Sequence, residues 1–145
     1  MEPGGPERIH IGQLLYAPYE RFLVMLHEEL AAAGYPDITA AHGNHVLRHI
    51  QRDGSRTTEL AVRARLTKQS IGYLVDQLEA GGYVERVPDP TDGRSKVVRL
   101  TARGWELTVT AEAIIDRIEA GWRRQLGAAQ WALLRKMLAE LEPIG

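Results

Sequence analysis

The sequence has 145 residues, of which 44% are hydrophobic and 26% are charged, and its net charge at pH 7 is −1. This composition is typical of a globular protein with a single hydrophobic core. Because the chain has no cysteine, it has no disulfide scaffold, thiol nucleophile, cysteine zinc site or thiol redox sensor.

The small net charge conceals an uneven distribution along the chain. Residues 48–103 contain 11 Lys or Arg and 7 Asp or Glu, a balance of +4. The remainder contains 7 basic and 12 acidic residues, a balance of −5. A basic middle segment suits a polyanionic partner such as nucleic acid.

The N-terminal segment MEPGGPERIHIG has neither the basic n-region nor the apolar h-region of a secretory signal peptide. No stretch approaches the roughly 18 consecutive apolar residues of a membrane-spanning helix. We therefore expect a soluble, cytoplasmic protein.

The first two helices are predicted from hydrophobic spacing and capping residues. Residues 11–33 repeat apolar side chains at intervals of three and four, and Gly34 provides a stop. Pro18 lies inside this pattern and should kink the helix or mark a restart. Thr39 can cap a second helix over residues 39–52.

The next two helices are separated by only two or three residues. A short helix is predicted over residues 58–65, and Thr67 is a suitable N-cap for the helix that follows. Two helices joined by so short a turn cross steeply, as in a helix-turn-helix. The apolar stripe of the second one consists of Ile71, Leu74, Val75 and Leu78.

A β-hairpin is predicted directly after this helix, which Gly81 and Gly82 end. The segment RVPDPTDGRSKVVRL, residues 86–100, begins and ends with β-prone residues. Its middle, residues 88–95, is rich in proline, aspartate and glycine, which favour a turn. A helix-turn-helix followed by a two-stranded hairpin is a winged helix.

Two more helices are predicted towards the C-terminus. Thr101 opens a long amphipathic helix, Gly127 interrupts it, and a last helix spans residues 128–141. Together with residues 11–33, these helices carry more apolar surface than a winged helix can cover, and such exposed faces are costly. A two-fold homodimer in which the terminal helices bury one another would cover this surface.

The order of these elements resembles the multiple-antibiotic-resistance regulator (MarR) family of bacterial winged-helix transcription factors. The most specific stretch is LTKQSIGYLVDQLEAGGYVERVPDPTDGRSKVVRLTARG, residues 66–104. It is similar to the family pattern of recognition helix, glycine, valine-glutamate-arginine, aspartate-rich wing, and leucine-threonine before the dimerisation helix. The resemblance covers essentially the whole chain, and its motifs are strong over residues 58–104.

This resemblance implies a mainly α fold with a small β-hairpin wing. Residues 1–145 would form one domain, with a winged helix-turn-helix DNA-binding lobe at 53–100 and dimerisation helices at 8–34 and 101–142. The implied function is a transcriptional regulator, most often a repressor, that binds a palindromic operator as a homodimer. In the family a small amphipathic or aromatic effector releases such a regulator from DNA, and no cofactor is implied.

The wing carries the arginine that the resemblance singles out. In the DxxDxR pattern, here Asp89, Asp92 and Arg94, the arginine inserts into a minor groove and Asp92 braces its geometry. Pro88 and Pro90 stiffen the approach to this tip. The alternative is a plain hairpin turn with a solvated arginine.

The recognition helix is expected to read bases through its outward N-terminal side chains. Gln69 can read adenine, and Lys68 or Ser70 can reach phosphate or guanine edges. Tyr73 stands where family members often carry arginine, and its alternative role is a surface aromatic that packs on the turn. Gly72 permits a close backbone approach.

Phosphate affinity must come mainly from outside this helix, from Arg56, Arg63, Arg65, Arg94, Lys96 and Arg99. The complete set of predicted DNA-binding residues is Arg56, Thr67, Lys68, Gln69, Ser70, Gly72, Tyr73, Gln77, Asp92, Arg94 and Lys96.

Two further groups of residues are candidates for ligand binding. By analogy with the family, an effector pocket for a small aromatic or phenolic ligand would include Tyr16, Tyr19, His42 and Trp105. His42, His45 and His49 have a spacing that can hold a transition metal on one helix face. No carboxylate or fourth ligand is placed nearby, so no metal site is predicted and these histidines are weak candidates.

Two alternatives to a DNA-binding regulator remain open at this point. One is a winged helix that binds protein instead of DNA, and the other is a metal-responsive regulator that uses the histidine face. An enzyme is not predicted, because the sequence has no nucleophile elbow, glycine-rich phosphate loop or HExxH motif.

Overall fold

The computed structural model describes residues 8–144. Residues 1–7 and 145 lie outside the described residues, together with most of the segment on which the signal-peptide expectation depends. The described chain contains, in order, α1 (Ile11–Ala32), α2 (Ala40–His45), a 3₁₀ turn (Leu47–His49), α3 (Thr57–Ala64), α4 (Lys68–Ala80), β1 (Val84–Pro88), β2 (Lys96–Leu100), α5 (Ala102–Leu126) and α6 (Ala128–Glu140). The predicted mainly α fold with a β-hairpin wing is confirmed.

Local capping explains where several helices begin. The hydroxyls of Thr39, Thr67 and Thr101 each accept a backbone N–H in the first turn of α2, α4 and α5, respectively. These contacts satisfy donors that a helix N-terminus leaves free. The predicted N-caps are therefore confirmed. His10 caps α1 through Nδ1, which accepts the N–H of Gln13 at 3.3 Å.

Two helix predictions need correction. α1 runs without interruption through Pro18, so the predicted restart is wrong. The carbonyl that loses its partner belongs to Leu14, in an exposed first turn that water can reach. α2 ends at His45 instead of residue 52, because Val46 leaves the helical conformation and buries its side chain completely.

The hairpin and the helix-turn-helix share one core with the inner end of α5. β1 and β2 pair antiparallel, with Val84 opposite Leu100 and Pro88 opposite Lys96. A Cβ at Gly104 would collide with the Tyr83 carbonyl oxygen. This close approach sets the direction in which α5 leaves the lobe formed by the helix-turn-helix and the hairpin.

Arg103 strengthens the same joint between α5 and the lobe. Its guanidinium lies 4.8 Å from the ring centre of Tyr83 and 5.3 Å from that of Tyr35. It also donates to the Tyr83 hydroxyl at 3.1 Å, and that hydroxyl donates to Asp37 at 2.6 Å. Burial is the main cause that raises the pKa of Tyr83.

The terminal helices leave large apolar side chains exposed. The large exposed hydrophobic residues of α1 and α6 are Ile11, Leu14, Leu15, Tyr16, Tyr19, Val24, Leu133, Met137 and Leu138. A groove of about 1070 Å³ runs between α1, the end of α5 and α6. Among residues 8–144, none of the helices combines the length and the apolar character that a membrane span requires.

Candidate nucleic-acid interface

The turn between α3 and α4 leaves one face of α4 exposed to solvent. Arg65 ends α3 in the left-handed conformation, with φ 55° and ψ 41°, which allows the chain to turn sharply into α4 within three residues. The predicted stripe of Ile71, Leu74, Val75 and Leu78 is buried. The exposed side chains of α4 therefore face away from the core.

Three side chains at the start of α4 are free to meet a partner. Within residues 8–144, Lys68, Gln69 and Tyr73 form no side-chain hydrogen bond with the protein, and Tyr73 is 64% exposed. Thr67 and Ser70 instead bond each other, with 2.8 Å between their hydroxyl oxygens. These two hydroxyls mainly complete the helix cap.

The side chain of Gln77 points towards α2, whereas the other predicted base-reading side chains lie at the N-terminal end of α4. Its Oε1 lies 2.9 Å from His42 Nε2. His42 Nδ1 accepts the backbone N–H of Thr39 at 3.0 Å, so the ring is the neutral tautomer that donates from Nε2. This contact separates Gln77 from the other predicted readers of bases.

The three histidines named as weak metal candidates do not share one helix face. α2 ends at His45, so His49 lies beyond it in the 3₁₀ turn, and the one-face spacing fails. Both nitrogens of His42 are already engaged. Among the described residues, no group of three or more His, Cys, Asp or Glu could hold a metal ion. Burial and the neighbouring Arg48 and Arg63 lower the pKa of His49.

The wing turn is organised by two aspartates. Asp89 is 9% exposed, and its carboxylate accepts from Thr91 N–H at 2.9 Å. It also accepts from Arg56 Nη2 at 2.6 Å. The bond from the Thr91 N–H and the bonds from Arg56 lower the pKa of Asp89 to about 2. Asp92 accepts the N–H of Arg94 at 3.1 Å, so it braces the backbone of the arginine and not its guanidinium.

The six residues expected to supply phosphate affinity fall into two groups. Arg56 pairs with Asp89, Arg99 pairs with Glu85, and Arg63 pairs with Glu59 while also donating to the Ser55 hydroxyl. In the described part of the chain, no ion pair forms at the exposed residues Arg65, Arg94 and Lys96, nor at Lys68 on α4. These four residues, Arg65, Lys68, Arg94 and Lys96, are called the free cations below.

The sequence did not reveal how the wing is attached to the rest of the lobe. Arg56 reaches Asp89 across 33 positions. Arg86 on β1 donates to Asp76 at 2.7 Å and to Glu79 at 2.8 Å, both on α4. The amino-acid sequence around Arg56 and Arg86 does not indicate which carboxylates these two arginines contact.

The four predicted effector-pocket residues are not brought together within one chain. Tyr19 lines the groove between α1, α5 and α6, and its hydroxyl accepts from Asn44 at 2.6 Å. His42 lines a separate cavity of about 450 Å³ with Gln77 and Tyr83. Tyr16 and Trp105 are exposed and line neither space.

Comparisons with known proteins agree with this geometry. A sequence model of the MarR family matches residues 45–95. The HTH-type transcriptional repressor Rv2887 of Mycobacterium tuberculosis is 33% identical over 132 residues, which cover 90% of this chain and 92% of that protein. The crystal structure of its complex with salicylic acid has a TM-score of 0.67 and 30% identity, and covers 94% of this chain and 98% of that one.

Two other solved structures share the fold. The reduced form of MarR from E. coli has a TM-score of 0.76 and 25% identity, over 94% of this chain and 99% of that one. CouR from Rhodococcus jostii, solved with p-coumaroyl-CoA, has a TM-score of 0.68 and 26% identity, over 93% of this chain and 95% of that one.

Proposed function

Because this chain belongs to the MarR family of winged-helix transcriptional regulators, we propose that it represses transcription by binding a palindromic operator as a homodimer. The observation that carries the DNA part of this proposal is the position of the free cations. They lie at the turn before α4, at its first residue, and on the wing. Positive charge at the start of the outward helix α4 and on the wing suits contact with the DNA backbone at two separate places.

Each part of this interface would have its own task. Gln69 and Tyr73 would contact base edges in the major groove and select the sequence. Arg94 would enter the neighbouring minor groove, where negative potential is concentrated. Arg65, Lys68 and Lys96 would bind phosphates, which position the protein without specifying the sequence.

The homodimer is supported by the apolar faces of α1 and α6. An obligate dimer interface typically buries more than roughly 2,000 Å² and is rich in such side chains. To read two half-sites, the dimer would have to hold its two recognition helices about 34 Å apart, one turn of B-DNA. An inverted repeat in the DNA would then match the symmetry of the protein.

Titration against DNA at several salt concentrations tests the proposal. We expect an inverted repeat upstream of the gene to be bound more tightly than a scrambled duplex, with a log–log salt slope that reflects several phosphate contacts. Arg94→Ala should lower the magnitude of this slope by about one per half-site. A winged helix that binds only protein would show no salt-dependent affinity for either duplex, and that result would refute DNA binding.

A small aromatic acid is the proposed effector class. The support is that two of the similar proteins named above bind aromatic molecules, salicylic acid in one case and p-coumaroyl-CoA, the thioester of an aromatic acid, in the other. Tyr16, Tyr19, His42 and Trp105 lie apart in one chain, so a pocket that includes them would have to be completed by the partner's helices. Salicylate should then reduce operator affinity equally with and without a chelator. Loss of the effect with a chelator would favour a metal-responsive regulator instead.

Release by oxidation of a thiol is ruled out by the absence of cysteine. As a regulator of operator DNA, the protein would act in the cytoplasm, and we propose no catalytic role for it.

A further inference from the structure

The base of the wing is joined to the start of the helix-turn-helix by one ion pair. Arg56 is the residue immediately before α3, and Asp89 begins the wing turn. Both Nε and Nη2 of Arg56 donate to the same Asp89 oxygen, Oδ2, at 2.9 and 2.6 Å. This contact joins two elements of the lobe that are far apart in sequence.

The second oxygen of the same carboxylate organises the wing turn. Asp89 Oδ1 accepts from the backbone N–H of Thr91 at 2.9 Å and from its hydroxyl at 2.8 Å. The N–H of Asp89 donates to the Ser95 carbonyl at 2.8 Å and closes the turn. Because one carboxylate bonds both Arg56 and the turn, the position of the guanidinium fixes the path of the chain towards Arg94.

The ion pair with Asp89 holds the Arg56 guanidinium against the wing turn, so turning it towards a phosphate carries a cost. If its guanidinium turned to DNA, the buried Asp89 carboxylate would lose its cation, which is costly for a charge with little access to water. The exposed Arg94 has no such partner within residues 8–144. Arg56 and Arg94 therefore differ in role although both are arginines of the same lobe.

We propose that Arg56 is a positioning residue that fixes the direction of the wing and acts on DNA through Arg94, without contacting phosphate itself. This inference rests on the proposed function, because it concerns the same DNA interface. It departs from the assignment of Arg56 as a DNA contact that the sequence favoured.

Amide hydrogen exchange tests the structural half of this proposal without DNA. In Arg56→Gln, the amides of Thr91, Arg94 and Ser95 should exchange at least about tenfold faster than in the wild type, because local opening of the turn becomes easier. Arg99→Gln is the matched control, since it removes an arginine from an ion pair of the same hairpin without contacting Asp89. Unchanged exchange in Arg56→Gln would overturn the proposal.

Asp89→Asn provides the decisive DNA measurement. Removal of a negative charge near DNA should strengthen binding if only electrostatics matter. The positioning role predicts the opposite, namely weaker operator binding. Near 0.15 M salt the affinity should fall roughly 5-fold if one phosphate interaction is lost per dimer, and roughly 30-fold if one is lost per half-site. Arg56→Gln should give a similar loss, and the double variant should bind no more weakly than either single variant.

The Arg94→Ala background distinguishes an indirect effect from a direct contact. If Arg56 acts through the wing tip, Arg56→Gln should have little further effect once Arg94 is absent. Additive losses, or stronger binding by Asp89→Asn, would instead identify Arg56 as a phosphate contact and overturn the proposal. Failure of the wild type to bind any duplex would refute the proposed function, and amide exchange would still decide whether Arg56 holds the wing.

Discussion

Gly72 lies on α4 at a position where an added Cβ would meet no heavy atom within 4 Å beyond the neighbouring residues and the backbone of its own helix. Glycine inside a helix is about 1 kcal/mol less favourable than alanine. Gly72→Ala should therefore raise the free energy of unfolding by roughly 0.5–1 kcal/mol. If DNA approaches α4 closely, the added methyl group should also weaken operator binding by about tenfold, a steric cost of about 1.4 kcal/mol.

Gly43 on α2 is the matched control for this prediction, since a Cβ there also meets no atom within 4 Å. Gly43→Ala should stabilise the fold to a similar extent and leave operator affinity unchanged. Urea unfolding and operator titration of both variants provide the comparison. Equal DNA affinities for the two variants would show that DNA does not come close to Gly72.

Gln69 and Gln77 lie on the same helix but should respond differently to replacement by alanine. Gln69→Ala should shrink the free-energy gap between operator and scrambled DNA by about 1–3 kcal/mol, the value of a bidentate base contact. Gln77→Ala removes the partner of the buried His42 Nε2–H, which should lower the free energy of unfolding by about 1 kcal/mol. The free-energy gap between operator and scrambled DNA should persist in Gln77→Ala. A collapse of this gap would show that Gln77 contacts bases.

The sequence predicted the exposure of the site residues better than their partners. Helical periodicity places Lys68, Gln69 and Tyr73 outwards, because the apolar stripe fixes which face of α4 is buried. It says nothing about a contact such as Gln77 with His42, which lie 35 positions apart. The predicted DNA-binding residues therefore include Gln77 and Arg56, whose internal contacts the sequence does not predict.

At the scale of elements, helix starts were predictable and the end of α2 was not. A threonine cap acts on N–H groups within its own first turn, so sequence alone identifies it. α2 ends because Val46 is needed in the core, a requirement set by elements elsewhere in the chain. Tertiary packing overrides local preference in such cases.

The attachment of the wing to α3 should give the stability of the protein a specific pH dependence. The pKa of Asp89 is lowered from 3.8 to about 2 in the folded state. A carboxyl group with a depressed folded pKa stabilises the fold fully above its unfolded pKa, and the stabilisation is lost as pH falls through the folded value. Its contribution should therefore be constant above about pH 5 and decline between about pH 4 and pH 2.

Asp89→Asn isolates this contribution from that of other carboxylates. The difference in free energy of unfolding between the wild type and Asp89→Asn should be largest near neutral pH and should shrink below about pH 4. Urea titrations at intervals between about pH 7 and pH 2 measure it. A difference that stays constant over this whole range would show that the Asp89 carboxylate is not specifically stabilised in the folded protein.

For the whole molecule, the apolar groove between α1, α5 and α6 is the surface that the proposed dimer would cover. Ile118, which the sequence pattern places on the apolar stripe of α5, is buried within the chain. A charge at Ile118 would therefore damage the fold itself and could not report on assembly. Leu138 is a better site for such a test, because it lines the groove and is 45% exposed in one chain.

Leu138→Asp should give a folded chain that no longer dimerises, because the partner would have to bury an unpaired carboxylate. Sedimentation should change from a dimer to a monomer of 16.2 kDa, and operator affinity should fall because one chain engages a single half-site. Ala132→Asp adds the same charge to an exposed position of α6, about 120° around the helix from Leu138, and should remain dimeric. If Leu138→Asp remains dimeric and still binds the operator, the dimer interface does not include this groove, because a buried carboxylate there would have disrupted it.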